Sequence, residues 1–168
     1  MLQLERLARS TIMLEARIDL WDEKLNDADV RVITTNGSLK ANGEAIMGRG
    51  CAGEAAERYP RLSNALGTLL RTYGNHAHYF AGYNLITFPT KHLWTDPTAD
   101  LRLIHRSTDE LLHIVNSHKF NKIVMPRPGA GVGTGNLLWG SVRPFLAERL
   151  DDRFLVLDYP IIRMKARS

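Results

Sequence analysis

At 168 residues the chain fits one domain with a real core, and 44% hydrophobic with 24% charged residues is ordinary for a globular protein. The net charge of +4 favours an anionic partner without separating nucleic acid from a nucleotide. The single cysteine, Cys51, excludes an internal disulfide framework, and no apolar run approaches the ~18 residues of a membrane span.

The N-terminal Met1-Leu2-Gln3-Leu4-Glu5-Arg6 breaks its apolar residues with charge and does not read as a signal peptide, so a cytoplasmic chain is expected. Residues 2–9 read as a short amphipathic lead-in helix. From Thr11 to Leu20 the apolar residues Ile12, Leu14, Ala16, Ile18 and Leu20 alternate, which predicts a strand with these five on one face. After a polar connection, Val30–Thr35 is nearly all apolar or β-branched, as in a buried parallel strand. A long Gly- and Asn-rich loop over 36–50 leads into a helix over Cys51–Tyr59, stopped by Pro60, and a second helix over Leu62–Thr72. Tyr79-Phe80 and Leu85–Phe88 read as strands joined by an Ala-Gly-Tyr-Asn turn. Pro89–Pro97 reads as an irregular loop, and Leu101, Ile104, Leu111, Leu112 and Val115 fit a helix from about Pro97 to His118. Strand Ile123-Val124-Met125, a glycine-rich stretch, a helix over Trp139–Leu150 and strand Phe154–Leu157 follow, then a basic tail over 158–168 with Arg163, Lys165 and Arg167.

Strands alternate with helices almost throughout. The expected architecture is an α/β three-layer αβα sandwich, with helices on both faces of a mixed, largely parallel sheet. Ligands of such sheets sit outside the C-terminal strand ends, and three loops leave strands there: 36–50, 89–97 and 127–137.

The last of these carries alternate glycines, Gly129, Gly131, Gly133 and Gly135, between a strand and a helix. Bare backbone lets N–H groups approach a ligand, and a helix start adds partial positive charge, so the order suits a phosphate cradle; a plain surface turn is the alternative. A Walker loop is excluded because no lysine follows any of these glycines. The dinucleotide fingerprint is excluded because the third glycine would fall at Thr134 or Asn136.

Three segments in order carry a resemblance: Thr35-Asn36-Gly37-Ser38-Leu39 with Ile46-Met47-Gly48-Arg49-Gly50, then Phe88-Pro89-Thr90-Lys91-His92-Leu93-Trp94, then Pro126-Arg127-Pro128-Gly129-Ala130-Gly131 with Leu137-Leu138-Trp139-x-x-Val142-Arg143-Pro144. Over about residues 12–157 the chain resembles a macrodomain. More narrowly it resembles the branch holding the terminal ADP-ribose glycohydrolases and the antitoxin macrodomains that remove ADP-ribose from DNA bases.

The resemblance implies a cleft for ADP-ribose, or for an ADP-ribosylated DNA or protein, in a monomer that needs no cofactor and no metal. Asp19 would accept from the adenine amino group, with Asp22 as the competing acid. Asn36 would face the distal ribose. Gly48-Arg49-Gly50 would form the first phosphate loop, and Gly129, Ala130, Gly131, Val132, Gly133, Thr134, Gly135 and Asn136 the second, wrapping the diphosphate. Lys91 would be the catalytic lysine near C1″.

A lysine there can attack a ring-opened sugar as the amine or stabilise the departing group as the ammonium. A free amine has a pKa of about 10.4, so the amine route needs burial or a neighbouring cation such as His92. The second loop is about two residues longer than the family's usual form, has Ala130 where cysteine is usual, and carries no acid between Gly129 and Trp139. An acid, if required, would come from Glu44 or Asp96. The same pocket would also serve a non-catalytic ADP-ribose reader, or a phosphatase or deacetylase of ADP-ribose derivatives.

Elsewhere Trp94 could stack on a base or anchor its loop. His76 and His78 share a strand face without a third ligand in view, and Cys51 reads as a small packing residue at a helix start.

Overall fold

The structure, a computed structural model, describes residues 12–158. The lead-in helix expected over 2–9 and the tail residues Arg163, Lys165 and Arg167 lie outside that range. The described strands are β1 (Leu14–Ala16), β2 (Val30–Asn36), β3 (His78–Phe80), β4 (Leu85–Lys91), β5 (Ile123–Pro126) and β6 (Phe154–Leu157). The α-helices are α1 (Gly50–Arg58), α2 (Leu62–Tyr73), α3 (Leu101–His118) and α4 (Trp139–Arg149), with one 3-10 turn at Glu23–Leu25. The strand order is β1-β6-β5-β2-β4-β3, parallel throughout except for the β3–β4 hairpin. The expected mixed, largely parallel sheet is therefore what forms.

Side-chain alternation divides the core into two layers, because successive residues of a strand face opposite sides. Val32, Ile86, Phe88, Ile123, Met125, Phe154 and Val156 pack with Ile104, Leu111 and Val115 of α3 and Val142 and Leu146 of α4. Ile33, Leu85, Val124 and Leu157 pack on the other side with Cys51, Ala52 and Ala55 of α1 and Leu62, Leu66 and Leu70 of α2. Helices cover both sheet faces, giving the three layers. No helix among the described residues is long and apolar enough to cross a membrane.

Three expectations need correction. The first strand is only Leu14–Ala16, and its faces are inverted: Ile12 and Leu14 are 63% and 51% exposed, while Met13 is 2% exposed within the core. A one-residue shift of register exchanges the faces of a strand, and this edge strand is held only by three pairs with β6. The second concerns Pro89, Thr90 and Lys91, which continue β4 instead of opening a loop. Pro89 lies beyond the last residue that β3 pairs, Thr87, so its missing N–H removes no bond from that hairpin. Third, α3 starts at Leu101, capped by Asp100, whose carboxylate accepts from Arg102 N; Pro97 stays in the preceding loop.

Phe154 is fully buried, far along the chain from the glycine loops. Phe154→Ala is expected to lower the unfolding free energy by about 3–5 kcal/mol, read from a urea denaturation midpoint at unchanged slope.

Candidate functional site

The C-terminal ends of β2, β4 and β5 open into one cleft of about 440 Å³. Its floor is formed by Thr34, Thr35 and Asn36 of β2, Thr90 and Lys91 of β4, and Pro126 of β5. One wall is Ile46–Cys51, the end of the first loop and the start of α1; the other is the second glycine loop.

Asn36 and Lys91 are register partners in the β2–β4 pairing, and a bulge between Thr35 and Asn36 leaves Thr90 unpaired. Bulges re-aim side chains, and this one brings together the two residues whose expected roles concern the distal ribose. The Asn36 amide also closes its own loop: Nδ2 donates to Ile46 O at 2.9 Å and Oδ1 accepts from Ser38 N at 2.9 Å. The loop that ends at Gly48–Gly50 is thus tied to the end of β2.

Gly48, Arg49 and Gly50 line the cleft, and α1 begins with no side-chain cap and no acid in its first turn. Its first N–H groups and the positive end of its dipole are left to an anion. In the second loop Gly129, Gly131, Gly133, Thr134 and Gly135 line the cleft, while Ala130, Val132 and Asn136 do not. The alternate glycines are the residues turned towards the cleft, and Val132, 81% exposed, projects outward.

A Cβ on Gly135 would lie 2.3 Å from Gly129 O, so only glycine permits this close neck, which Leu137 N→Gly129 O closes at 2.9 Å. Asn136 braces the turn from outside: Oδ1 accepts from Gly133 N at 2.8 Å and Nδ2 donates to Pro97 O at 3.0 Å.

Charge is one-sided here. Arg49, Lys91 and Arg127 line the cleft, and none of its lining residues is acidic. Arg127 is partly balanced, 3.4 Å from Asp158 and stacked 4.8 Å from the centre of Trp139. Arg49 and Lys91 have no carboxylate partner among the described residues. Glu44 instead pairs with Lys40 at 3.8 Å, and Asp96 accepts from Leu93 N at 2.9 Å. His92 turns to Asp100, Nε2 to Oδ2 at 2.8 Å, which draws that carboxyl below its ordinary range.

Asp19 and Asp22 border the chain upstream of β2 but do not line the cleft. Asp22 Oδ1 accepts from Lys24 N at 2.9 Å as the cap of the 3-10 turn, and Asp19 Oδ1 accepts from Trp21 N at 2.8 Å. Trp94 is 55% exposed and lines the cleft, so its ring is not a core anchor; its main-chain N–H donates to Ser38 Oγ at 2.9 Å. Three of the histidines are engaged elsewhere: His76 on Glu110, His105 stacked on Phe145 and His118 on Phe120.

The residues expected at the site and those that line the cleft differ in both directions. Thr34, Thr35, Met47, Thr90 and Arg127 line the cleft although the sequence assigned them no binding role. All but Met47 lie in or just after the last residues of a strand, which is the signal that could have found them.

Cys51 is 6% exposed beneath the cleft, with Sγ 3.3 Å from both Thr34 N and Thr34 Oγ1. Burial pushes its thiol up. Iodoacetamide at pH 8, measured by intact mass, is expected to leave the folded chain unmodified and to alkylate it once in denaturing urea.

No protein-family model and no curated protein matches the sequence. Among solved structures, the fold is similar to the macrodomain of Thermus aquaticus DarG at TM-score 0.71, with 19% identity over 88% of this chain and 99% of that one. The Mycobacterium tuberculosis DarG macrodomain matches at TM-score 0.70, with 21% identity, 88% of this chain and 97% of that one. Thermosipho africanus DarTG in complex with ADP-ribose matches at TM-score 0.64, with 15% identity over 81% of this chain and 39% of that longer one. The chain has the macrodomain fold.

Proposed function

We propose that this cleft binds ADP-ribose and that the protein hydrolyses the bond between C1″ of ADP-ribose and its acceptor on DNA or protein. The observation that carries the binding is a cleft walled by two glycine loops and an uncapped helix start, holding cations and no carboxylate. Such a site complements a diphosphate, which brings two negative charges and many acceptor oxygens. That the similar Thermosipho africanus structure holds ADP-ribose supports the choice of ligand.

The diphosphate lies between Gly48–Gly50 and Gly129–Gly135, with Arg49 at its edge. The distal ribose faces Asn36 and Lys91. Asp19 and Asp22 are equally available to the adenine amino group: each accepts a backbone N–H on Oδ1 alone, from Trp21 and Lys24, and leaves Oδ2 without a partner among the described residues.

In the reaction, water's hydroxyl goes to C1″, its proton goes to the acceptor, and the C1″–acceptor bond breaks. Lys91 stabilises the departing group as the ammonium, or as the amine bonds to C1″ of the opened sugar before water releases it. Turnover that rises with pH marks the amine route, and turnover that falls marks the ammonium route. A second reading has its own observation: with no carboxylate in the cleft to activate water, a reader that holds ADP-ribose without turnover fits the same geometry.

Calorimetric titration with free ADP-ribose is expected to show a single site whose affinity weakens with salt; absence of binding overturns both readings. Lys91→Ala is expected to cut release of ADP-ribose from a modified oligonucleotide or protein by about a hundredfold or more, with ADP-ribose affinity within about threefold of the parent. Unchanged turnover removes Lys91 from the chemistry. No turnover by the parent chain, with binding intact, favours the reader.

A further inference from the structure

We propose that Asn75, which does not line the cleft, is a positioning residue that sets where Lys91 stands, acting through the Lys91 main-chain carbonyl. This rests on the reading that Lys91 acts on the distal ribose.

The segment around Lys91 leaves β4 with its carbonyls claimed one after another by different parts of the fold. Ser107 Oγ of α3 donates to Pro89 O at 2.6 Å. Asp100 N donates to Thr90 O at 2.9 Å, and Gly37 N to His92 O at 3.1 Å. The Lys91 carbonyl itself is taken by the Asn75 side chain, Nδ2 to O at 2.9 Å. Two of these donors are main-chain groups and one holds Pro89, two residues upstream. Asn75 is the side chain that grips Lys91 directly.

Its placement is built from both sides. The amide lies over the bare Cα of Gly37, where a Cβ would come within 2.9 Å of Asn75 Nδ2. Asn75 therefore wedges between the residue after Asn36 and the carbonyl of Lys91, touching both strand ends that form the site. Behind it, α3 straps the segment down. Arg106 Nη2 donates to Asn75 O, Glu110 Oε1 accepts from Ala77 N at 3.2 Å, and Glu110 Oε2 meets His76 Nδ1 at 2.7 Å.

The orientation of the amide is fixed by chemistry: the reverse rotamer would set its oxygen against the Lys91 oxygen. In the present one, Asn75 Oδ1 is buried and accepts no hydrogen bond among the described residues. Leaving such an atom unsatisfied is unfavourable, and it persists where the opposite end of the group has a position to hold.

Asn75→Asp keeps the shape and removes the donor, placing a carboxylate oxygen against the Lys91 carbonyl; Asn75→Ala removes both. In the full chain, both variants are expected to lower kcat for release of ADP-ribose from an ADP-ribosylated oligonucleotide between about tenfold and a hundredfold, Asp no less than Ala. Affinity for free ADP-ribose should stay within about twofold, a kcat-against-binding split that general loosening of the cleft would not produce. In a Lys91→Ala background, adding Asn75→Asp should have no further effect.

An independent readout needs no turnover: acetylation of Lys91 in the ligand-free chain, followed by peptide mass over pH 7–10, should change its pH profile in both variants. If the parent chain lacks turnover yet the profile shifts, the positioning stands and the hydrolytic reading falls. If kcat and the Lys91 profile match the parent in either folded variant, Asn75 does not position Lys91.

Discussion

Parallel pairing between β2 and β4, with its bulge at Thr35/Asn36, is the constraint from which the rest of the site follows. A regular ladder would have set Asn36 opposite Thr90. The bulge advances the register by one, so that Asn36 meets Lys91 and Thr90 stays unpaired in the floor. Because both strands are buried on both faces, with Phe88 in one core layer and Ile33 in the other, the register cannot slip without exchanging residues between two differently packed layers. The position of the two polar side chains is thereby fixed by hydrophobic packing deep in the sheet.

On that floor the two walls supply main-chain groups. Asn36 ties the first wall to β2, and the Gly129–Gly135 neck shapes the second. The cations Arg49 and Lys91 then act where no carboxylate competes for them, so an anion entering the cleft meets charge that no neighbour has already neutralised. Arg127 differs, since Asp158 and Trp139 hold it against the wall.

Much of this was legible in the chain because it depends on local pattern. β2, β5 and β6 are short apolar runs with β-branched residues, the hairpin has its turn residues, and the glycine loops sit directly after strands. What escaped depends on partners distant in sequence. The facing of Ile12, Met13 and Leu14 is decided by which residues β6 offers, and both readings of an alternating run look alike until then. The start of α3 went to Asp100 and not Pro97, since a capping carboxylate stabilises a helix start more directly than a permitted proline. No local pattern marks Asn75; it meets Lys91 where α3 brings Arg106 to its carbonyl and Glu110 to His76 and Ala77 beside it. Trp94 is exposed on the rim for a similar reason, its backbone being held by Ser38 from another loop.

The outward direction of Val132 and the cleft-facing direction of the alternate glycines separate two kinds of mutational freedom. The surface that the glycine loops turn to the cleft is largely main chain, and main chain is the same whatever the side chain. Substitution at Val132, on the outer side of the second loop, or at Trp94, on the rim, both more than half exposed, alters the surroundings of the cleft without changing a single amide that the walls present. Grip and entrance can therefore change independently: glycine geometry restricts substitution in the one, and exposure leaves the other free to vary.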